Sequence, residues 1–128
     1  MKQKPPNPST IGLHAEESAR GFLEQQGLEH IVSNYHCRGG EIDLIMRAAD
    51  STLVFIEVRL RSNRHCGSGA DTVTTAKQQK ISKTALHYLQ SHPQYQESPL
   101  RFDVVSGSLH QGCYHFDWIE EAFWPGDN

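Results

Sequence analysis

Two neighbouring segments each place one carboxylate inside a run that otherwise reads as a buried β-strand. Residues 40–45 read Gly-Glu-Ile-Asp-Leu-Ile, and after a short polar break residues 54–59 read Val-Phe-Ile-Glu-Val-Arg. Runs of this length and composition predict two adjacent strands of one sheet. A buried charge is unfavourable without a partner. We therefore expect Asp43 and Glu57 either to join the neighbouring cation Arg59 in an ion-pair network or to hold a metal ion.

Strand geometry assigns these side chains to faces, because successive side chains of a strand point to opposite sides of the sheet. Asp43 is predicted on one face of the first strand. In the second strand Glu57 is predicted to share a face with Arg59 and Arg61. The opposite faces are predicted to be apolar: Ile42, Leu44 and Met46 in the first strand, and Val54, Ile56, Val58 and Leu60 in the second.

The length of 128 residues suits one domain with a single hydrophobic core. No run approaches the roughly 20 apolar residues that a membrane span needs, and the N-terminus lacks the apolar core of a signal peptide. These features predict a cytoplasmic protein without a membrane partner.

The three cysteines are Cys37, Cys66 and Cys113, an odd number without a Cys-x-x-Cys pair, which argues against a disulfide scaffold. Three of the eight histidines lie beside or near a cysteine: His36, His65 and His115. Structural zinc sites use closely paired Cys and His ligands, and that spacing is missing here. Scattered, unligated side chains are the simpler interpretation, and a zinc-binding adaptor is an alternative.

The net charge of −3 lacks the basic surplus that is common in nucleic-acid-binding proteins. The cations are nevertheless clustered. One group follows the second motif strand, namely Arg59, Arg61, Arg64 and His65, and another lies on a predicted helix, namely Lys77, Lys80 and Lys83. Such groups indicate either a phosphate-binding surface or an ordinary solvated face.

Hydrophobic periodicity and turn residues divide the chain into a flexible arm over 1–10, a domain over 11–124 and a short tail over 125–128. Gly27 is predicted to end the first helix, and Pro93 lies just beyond the second. The predicted helices cover 12–26, a stretch around Lys77 that ends before Pro93, and 118–123. Strands are predicted at 28–35, at the two motif segments, at 100–106 and at 112–117, with a polar loop at 63–72. This order predicts an αβββαβ fold of the α/β class.

Helix geometry separates the side chains that face the sheet from those that face water. At about 100° per residue, Glu16 lies roughly 75° from the centre of the apolar stripe of the first helix, and Glu17 lies roughly 175° away. Glu16 can therefore reach over the sheet, or it is a solvated flank. In the second helix Lys77 aligns with the apolar stripe and Lys83 points away, so Lys77 either faces inward or extends to solvent.

A further charged pair, Arg101 and Asp103, shares one face of the predicted fourth strand. The two are expected to form a structural ion pair or to support the carboxylates of the neighbouring strands.

The paired segments at 40–45 and 54–59 resemble the PD-(D/E)xK nuclease superfamily. They resemble more closely the YraN family of small bacterial proteins, which is similar to archaeal Holliday junction resolvases. The likeness extends from 12–16 through Lys77 to 101–105 and 119–123. It implies a restriction-endonuclease-like αβββαβ core, in which a central mixed sheet is flanked by helices.

The resemblance also implies a metal site. In resolvase-like nucleases, the positions that match Asp43, Glu57 and the backbone carbonyl of Val58 ligate a divalent cation, usually Mg²⁺ and alternatively Mn²⁺. Hard oxygen ligands suit such ions. The position that matches Glu16 contributes through water or to a second metal. A metal-bound water would then attack the scissile phosphate.

Arg59 departs from the superfamily pattern, which has lysine at this position. Arginine stays protonated in proteins and cannot act as a general base, but it can hold a phosphate oxygen and stabilise charge. Three hypotheses follow. Arg59 stabilises the transition state, Lys77 supplies the missing amine from the helix, or the domain binds nucleic acid with little or no cleavage.

The leading hypothesis is a metal-dependent endonuclease that acts on branched or structured DNA. Asp43, Glu57, Arg59, Glu16 and Lys77 would form its catalytic site. Four further residues would contact nucleic acid: Arg61, Arg64, His65 and Lys80. The resemblance also implies a homodimer. A nucleic-acid-binding module on the same fold, catalytically weak or inactive, and the zinc-binding adaptor are the alternatives.

Overall fold

The structure is a computed structural model that describes residues 8–61 and 73–124. Its first half contains one helix followed by three strands. These are α1 (Pro8–Gln25), β1 (Glu29–Cys37), β2 (Gly40–Arg47) and β3 (Leu53–Leu60). Gly27 has φ of +104°, and the amide of Leu28 donates to the carbonyl of Leu23. Glycine therefore ends α1 as predicted, because its missing Cβ tolerates the left-handed conformation.

The second half contains α2 (Thr75–Ser91), a short 3-10 helix (Pro93–Tyr95), β4 (Leu100–His110) and β5 (Cys113–Phe123). The five strands form one sheet in the order β1-β2-β3-β4-β5. Neighbouring strands pair antiparallel except β3 and β4, which are parallel and connected through α2. The element order and the mixed sheet confirm the αβββαβ core that was expected for a restriction-endonuclease-like fold.

The two helices cover opposite faces of the sheet. On one face α1 packs through Ala19 and Leu23 against side chains of three strands, including Leu44, Ile56 and Val105. On the other face α2 contributes three buried side chains to a second cluster, namely Ile81, Ala85 and Tyr88. The cores lie on both sides of β2 and β3, so charged groups on these two strands are held between packed layers.

The N-terminal boundary of α1 differs from the prediction. The helix begins at Pro8, so the arm predicted over 1–10 is wrong for residues 8–10, and its first seven residues lie outside the described residues. Proline lacks an amide hydrogen and has a fixed φ, so it interrupts a helix interior but suits the first turn. The predicted tail at 125–128 and the polar loop at 63–72 also lie outside the described residues.

The predicted closing helix at 118–123 is wrong, because this segment continues β5. Trp118 pairs with Val105, and Phe123 pairs with Phe102 of β4. The register shifts within this stretch, where Glu121 has φ of +51°. Such an irregularity disturbs the period-two pattern of the sequence, which is why the segment resembled a helix.

Within the described parts of the chain, no helix is long and apolar enough to cross a membrane.

Candidate functional site

Asp43 lies where β2 stops pairing with β3. The paired residues run from Arg47↔Leu53 to Leu44↔Ile56 and end there. The backbone N–H of Val58 in β3 donates a hydrogen bond to Oδ2 of Asp43 over 2.8 Å. The Asp43 side chain thus takes the place of a backbone acceptor on β2. Asp43 is only 8% exposed. The side chain therefore fills the gap between the two strands and satisfies a backbone donor that would otherwise be buried without a partner.

The alternation of faces breaks at the same position. Leu44 and Met46 pack in the core beneath α1, as predicted, but Ile42 packs in the core beneath α2. The prediction that all three share one face is therefore wrong for Ile42. On the other side of β2, residue Asn34 of β1 has φ of +54°, within the gap in the β1–β2 register. Both neighbours of β2 are thus irregular where Asp43 sits.

Glu57 faces α2 and contacts a lysine from that helix. The Nζ atom of Lys77 lies 2.9 Å from Oε1 of Glu57, and Nη1 of Arg59 lies 4.0 Å from the same oxygen. Glu57 is 6% exposed, so its charge has little contact with water. The structure brings these three predicted site residues together, and of the two alternatives for Lys77 it shows the inward-facing one.

The cap of α2 fixes the position of Lys77. Thr74 precedes the helix in an extended conformation, and its side-chain oxygen accepts a hydrogen bond from the amide of Lys77 over 3.2 Å. Threonine is a preferred N-cap residue because it satisfies one of the first free amides of the helix. The cap places Lys77 in the first turn of α2, from which its side chain reaches Glu57 of β3. A threonine just before an amphipathic run is the signal in the sequence that could have located this helix start.

Glu16 approaches the site from α1 and is partly buried. Burial raises the pKa of Glu16, and the nearby negative charge of Asp43 raises it further, while a hydrogen bond with Asn34 acts in the opposite direction. Among the described residues, Oε1 of Glu16 is buried without a hydrogen-bond partner. The prediction that Glu16 leans toward Asp43 is consistent with this geometry.

Asp43 is electrostatically the most strained of these carboxylates. Burial and, secondly, the negative charge of Glu57 together raise its pKa to about 7. The amide of Val58 and the ammonium of Lys77 favour the ionised form but do not cancel the two larger causes. Near neutral pH, the buried carboxylate of Asp43 is therefore stabilised either by a proton or by a bound cation.

The donor set at this position suits Mg²⁺ or Mn²⁺. Asp43 and Glu57 offer hard carboxylate oxygens, and the buried oxygen of Glu16 has unused acceptor capacity. Mg²⁺ usually binds one or two protein carboxylates and keeps several waters, so it does not need a closed cage of protein ligands. This fits the observation that, over 8–61 and 73–124, no three His, Cys, Asp or Glu side chains converge tightly enough to form a metal cluster.

The described cysteines lie on opposite edge strands of the sheet. Cys37 is on β1 and Cys113 is on β5. The thiol of Cys37 donates to the Thr84 hydroxyl of α2 over 3.7 Å, and His36 pairs with Glu41. Cys37 and His36 thus have other partners, and within 8–61 and 73–124 no three His, Cys, Asp or Glu side chains form a group that could hold zinc. Cys66 and His65 lie outside the described residues.

Two of the four predicted nucleic-acid-binding residues are described. Arg61 forms an ion pair with Asp117 of β5, which the sequence analysis did not foresee because the pairing of β4 and β5 brings the two together. Lys80 lines an open groove of about 430 Å³ with Gly40, Thr74 and Lys77. The groove adjoins the carboxylate site. Arg64 and His65 lie outside the described residues.

Asp103 belongs to a separate structural network. It is fully buried and accepts hydrogen bonds from Arg101, from Nε1 of Trp118 and from the amide of Glu121. All of these donors stabilise β4 against the end of β5. Asp103 and Arg101 therefore form the structural ion pair that was one of the two expectations.

Two solved structures show a distant similarity to this chain. The first is a repair endonuclease from Pyrococcus abyssi, with 16% identity and a TM-score of 0.38 over 88% of this chain. The second is the EndoMS complex with double-stranded DNA, with 14% identity and a TM-score of 0.42 over 88% of this chain. This chain spans only 42% and 41% of those two proteins.

Sequence comparison gives a much closer match. Residues 15–106 match UPF0102, described as an uncharacterised protein family. A UPF0102 protein of Cupriavidus necator (strain H16) is 50% identical over 117 residues, which cover 91% of this chain and 85% of that relative. The range 15–106 that matches the family spans both carboxylate strands and the position of Lys77. The chain therefore belongs to the UPF0102 family, which is the YraN family that its paired-strand motif resembles.

Proposed function

We propose that this protein is a divalent-cation-dependent endonuclease that hydrolyses phosphodiester bonds in branched or structured DNA. One observation carries the proposal: two buried carboxylates lie on adjacent strands, and lysine and arginine side chains reach the second of them. A purely structural ion pair would need only one of these carboxylates. The excess negative charge at Asp43 is the feature that a divalent cation would balance.

The chain offers a defined set of oxygen ligands for Mg²⁺ or Mn²⁺. Asp43, Glu57 and the Val58 carbonyl would hold the ion, with Glu16 acting through water or at a second ion. When bound, such an ion supplies a water of lowered pKa and neutralises charge on the phosphate that is cleaved. The protein holds these carboxylates between two packed layers, so they need little reorganisation to bind the ion.

Arg59 and Lys77 would act on the phosphate. Arg59 is always protonated, so its role would be to bind phosphate oxygens and stabilise developing negative charge. Lys77 is the only described lysine that forms an ion pair with one of these carboxylates, with Nζ 2.9 Å from Oε1 of Glu57. This arrangement supports the hypothesis that the helix supplies the missing amine.

Lys80 and Arg61 would position the nucleic-acid backbone on either side of this centre. Lys80 lines the groove beside Lys77, and Arg61 follows Arg59 along the same chain segment. Single cationic contacts of this kind fix the register of a backbone without reading its sequence. Arg64, His65 and a homodimeric assembly remain part of the proposal on the basis of the resemblance.

A nucleic-acid-binding module without cleavage is the second candidate. The specific observation in its favour is the close contact of Lys77 with Glu57. Such an ion pair can have a purely structural role, without any metal ion. Arg59 in place of lysine points the same way. On this alternative Asp43→Asn leaves function unchanged, and Mg²⁺ does not raise the melting temperature.

A cleavage assay separates the two candidates. Labelled four-way-junction, nicked and linear DNA would be incubated with wild-type protein and MgCl₂ or MnCl₂, with EDTA as the cation-free control. Asp43→Ala and Glu57→Ala would be assayed beside Glu17→Ala, an exposed glutamate on the neighbouring helix. We expect cleavage that requires the cation and that falls at least about 100-fold in both site variants, since removal of one electrostatic catalytic group typically has that effect.

The nuclease proposal fails if the wild type cuts none of the substrates, or if both site variants cut as fast as the wild type. Binding of the DNA without cleavage would favour the second candidate.

A further inference from the structure

Two cations approach the same oxygen of Glu57. The ammonium of Lys77 is 2.9 Å from Oε1, within hydrogen-bond distance, and the guanidinium of Arg59 is at 4.0 Å. Oε1 is also one of the oxygens that a divalent cation would need. The buried carboxylate that is proposed as a ligand is therefore already paired with a lysine.

We infer that Lys77 is an exchangeable counter-ion of Glu57, which competes with the divalent cation for Oε1 and moves to the substrate phosphate when the cation binds. The inference rests on the proposed function, because it concerns the same carboxylate site. It assigns Lys77 a position in each state: on Glu57 in the cation-free protein, and in the adjoining groove in the loaded protein.

Electrostatics makes the two occupants of Oε1 mutually unfavourable. Mg²⁺ binds oxygen at about 2.1 Å, so an ammonium held 2.9 Å from the same oxygen would lie within about 5 Å of the ion. The low exposure of Glu57 leaves little water to screen this repulsion. Binding of the cation at Oε1 therefore favours release of the ammonium.

Lys77 is better suited to move than Arg59. Its backbone is fixed by the Thr74 cap, while its side chain is 39% exposed and has four rotatable methylene units. Beside it lies the open groove that Thr74, Lys77 and Lys80 line together. The ammonium can leave Glu57 for this groove without any change in α2.

The groove gives the displaced ammonium a second function. A phosphate that lies against the carboxylate site is within reach of a lysine that pivots about the first turn of α2. An ammonium on a flexible four-carbon stem can bind a phosphate oxygen from this position as a mobile point charge. Release from Glu57 would thus deliver the amine when the cation is already in place.

Calorimetric titration of the purified protein with MgCl₂ or MnCl₂ tests this inference without relying on activity. We expect Lys77→Met and Lys77→Gln to bind the cation about tenfold more tightly than the wild type, because one competing charge is removed. Lys77→Arg keeps the charge and should stay within about threefold of the wild type. Lys83→Met is the matched control, because Lys83 is an exposed lysine on the same helix. It should leave the affinity unchanged.

The melting temperature of each variant, measured in EDTA, separates competition from a structural role. If Lys77→Met and Lys77→Gln lower the melting temperature while their cation affinity equals or falls below that of the wild type, Lys77 only stabilises Glu57 and the inference is wrong. If the wild type binds no cation at all, the proposed function is wrong, and so is the inference that rests on it. Binding by the wild type without tighter binding by the variants overturns the inference alone.

Discussion

At the scale of single residues, Asp43 and Glu57 are both nearly inaccessible to water, but their charges are balanced differently. Glu57 has an ammonium at 2.9 Å. Asp43 has one backbone amide from Val58 and the negative charge of Glu57 nearby. Burial is the largest cause that raises the pKa of Asp43 to about 7, and the charge of Glu57 is the next. Asp43 is therefore the carboxylate of this site whose ionised form is unfavourable.

Asp43→Asn tests this imbalance through the pH dependence of stability. Because the pKa of Asp43 is about 7 in the folded protein and 3.8 ordinarily, the folded state holds this proton more tightly than the unfolded chain. Its contribution to stability is full below about pH 4 and is lost as the pH rises to about 7. We expect Asp43→Asn to gain roughly 2–4 kcal/mol relative to the wild type between pH 4 and pH 8.

Urea unfolding in EDTA at several pH values measures this difference. Glu17→Gln, an exposed change on α1, should follow the wild type throughout the range. A constant offset between Asp43→Asn and the wild type from pH 4 to pH 8 would contradict the account.

Sequence reasoning located both carboxylates because strand alternation is a local property. It misplaced Ile42 because the local twist at Asp43 depends on the amide of Val58, which lies 15 positions further along the chain. Likewise, the Arg61–Asp117 ion pair requires knowledge of which strands are neighbours. Contacts between distant segments were therefore the part of the site that the sequence alone could not supply.

At the scale of elements, the antiparallel pair of β4 and β5 carries contacts that a helix at 118–123 could not make. Asp103 of β4 accepts hydrogen bonds from Trp118 and from the Glu121 amide, and these require β5 to continue to Phe123. Further along the pair, Phe116 lies over Gly107 and contacts Phe22 of α1, with ring centroids 5.4 Å apart. This packing joins the edge of the sheet to the helix that carries Glu16.

Gly107→Ala is expected to disturb this junction. A Cβ at Gly107 would lie 2.8 Å from Cε1 of Phe116, so the ring, which also contacts Phe22, must shift. Overpacking of this kind typically costs about 1–3 kcal/mol. Gly21→Ala in α1 is the control, since a Cβ there meets no atom within 4 Å, and it should stabilise the helix by about 0.5–1 kcal/mol.

Urea unfolding midpoints measure both changes. Equal stability of Gly107→Ala and the wild type would show that the packing of Phe116 does not hold α1 to the sheet.

At the scale of the whole molecule, the strand order puts the proposed site at the centre of the sheet and the described cysteines at its edges. β2 and β3 are interior strands, covered by α1 on one face and by α2 on the other. Cys37 and Cys113 lie on the two edge strands. The α/β order was predictable from periodicity and turn residues, whereas the length of β5 and the neighbours of each charged side chain depend on tertiary pairing.

This arrangement predicts that a divalent cation binds at the central carboxylates and not at the cysteines on the edge strands. Carboxylate oxygens in a buried central site favour Mg²⁺ or Mn²⁺, whereas Cys and His side chains would favour zinc. The central claim is that Asp43 and Glu57 form the cation site of a nuclease. A method that locates bound metal ions anywhere in the molecule can test it.

Anomalous scattering from crystals soaked in MnCl₂ is the most direct measurement. The account predicts a manganese peak in contact with the carboxylate oxygens of Asp43 and Glu57 in the wild type, and its loss in Asp43→Asn crystals soaked in the same way. A manganese peak that persists in Asp43→Asn, or no peak at these carboxylates in the wild type, would contradict the claim.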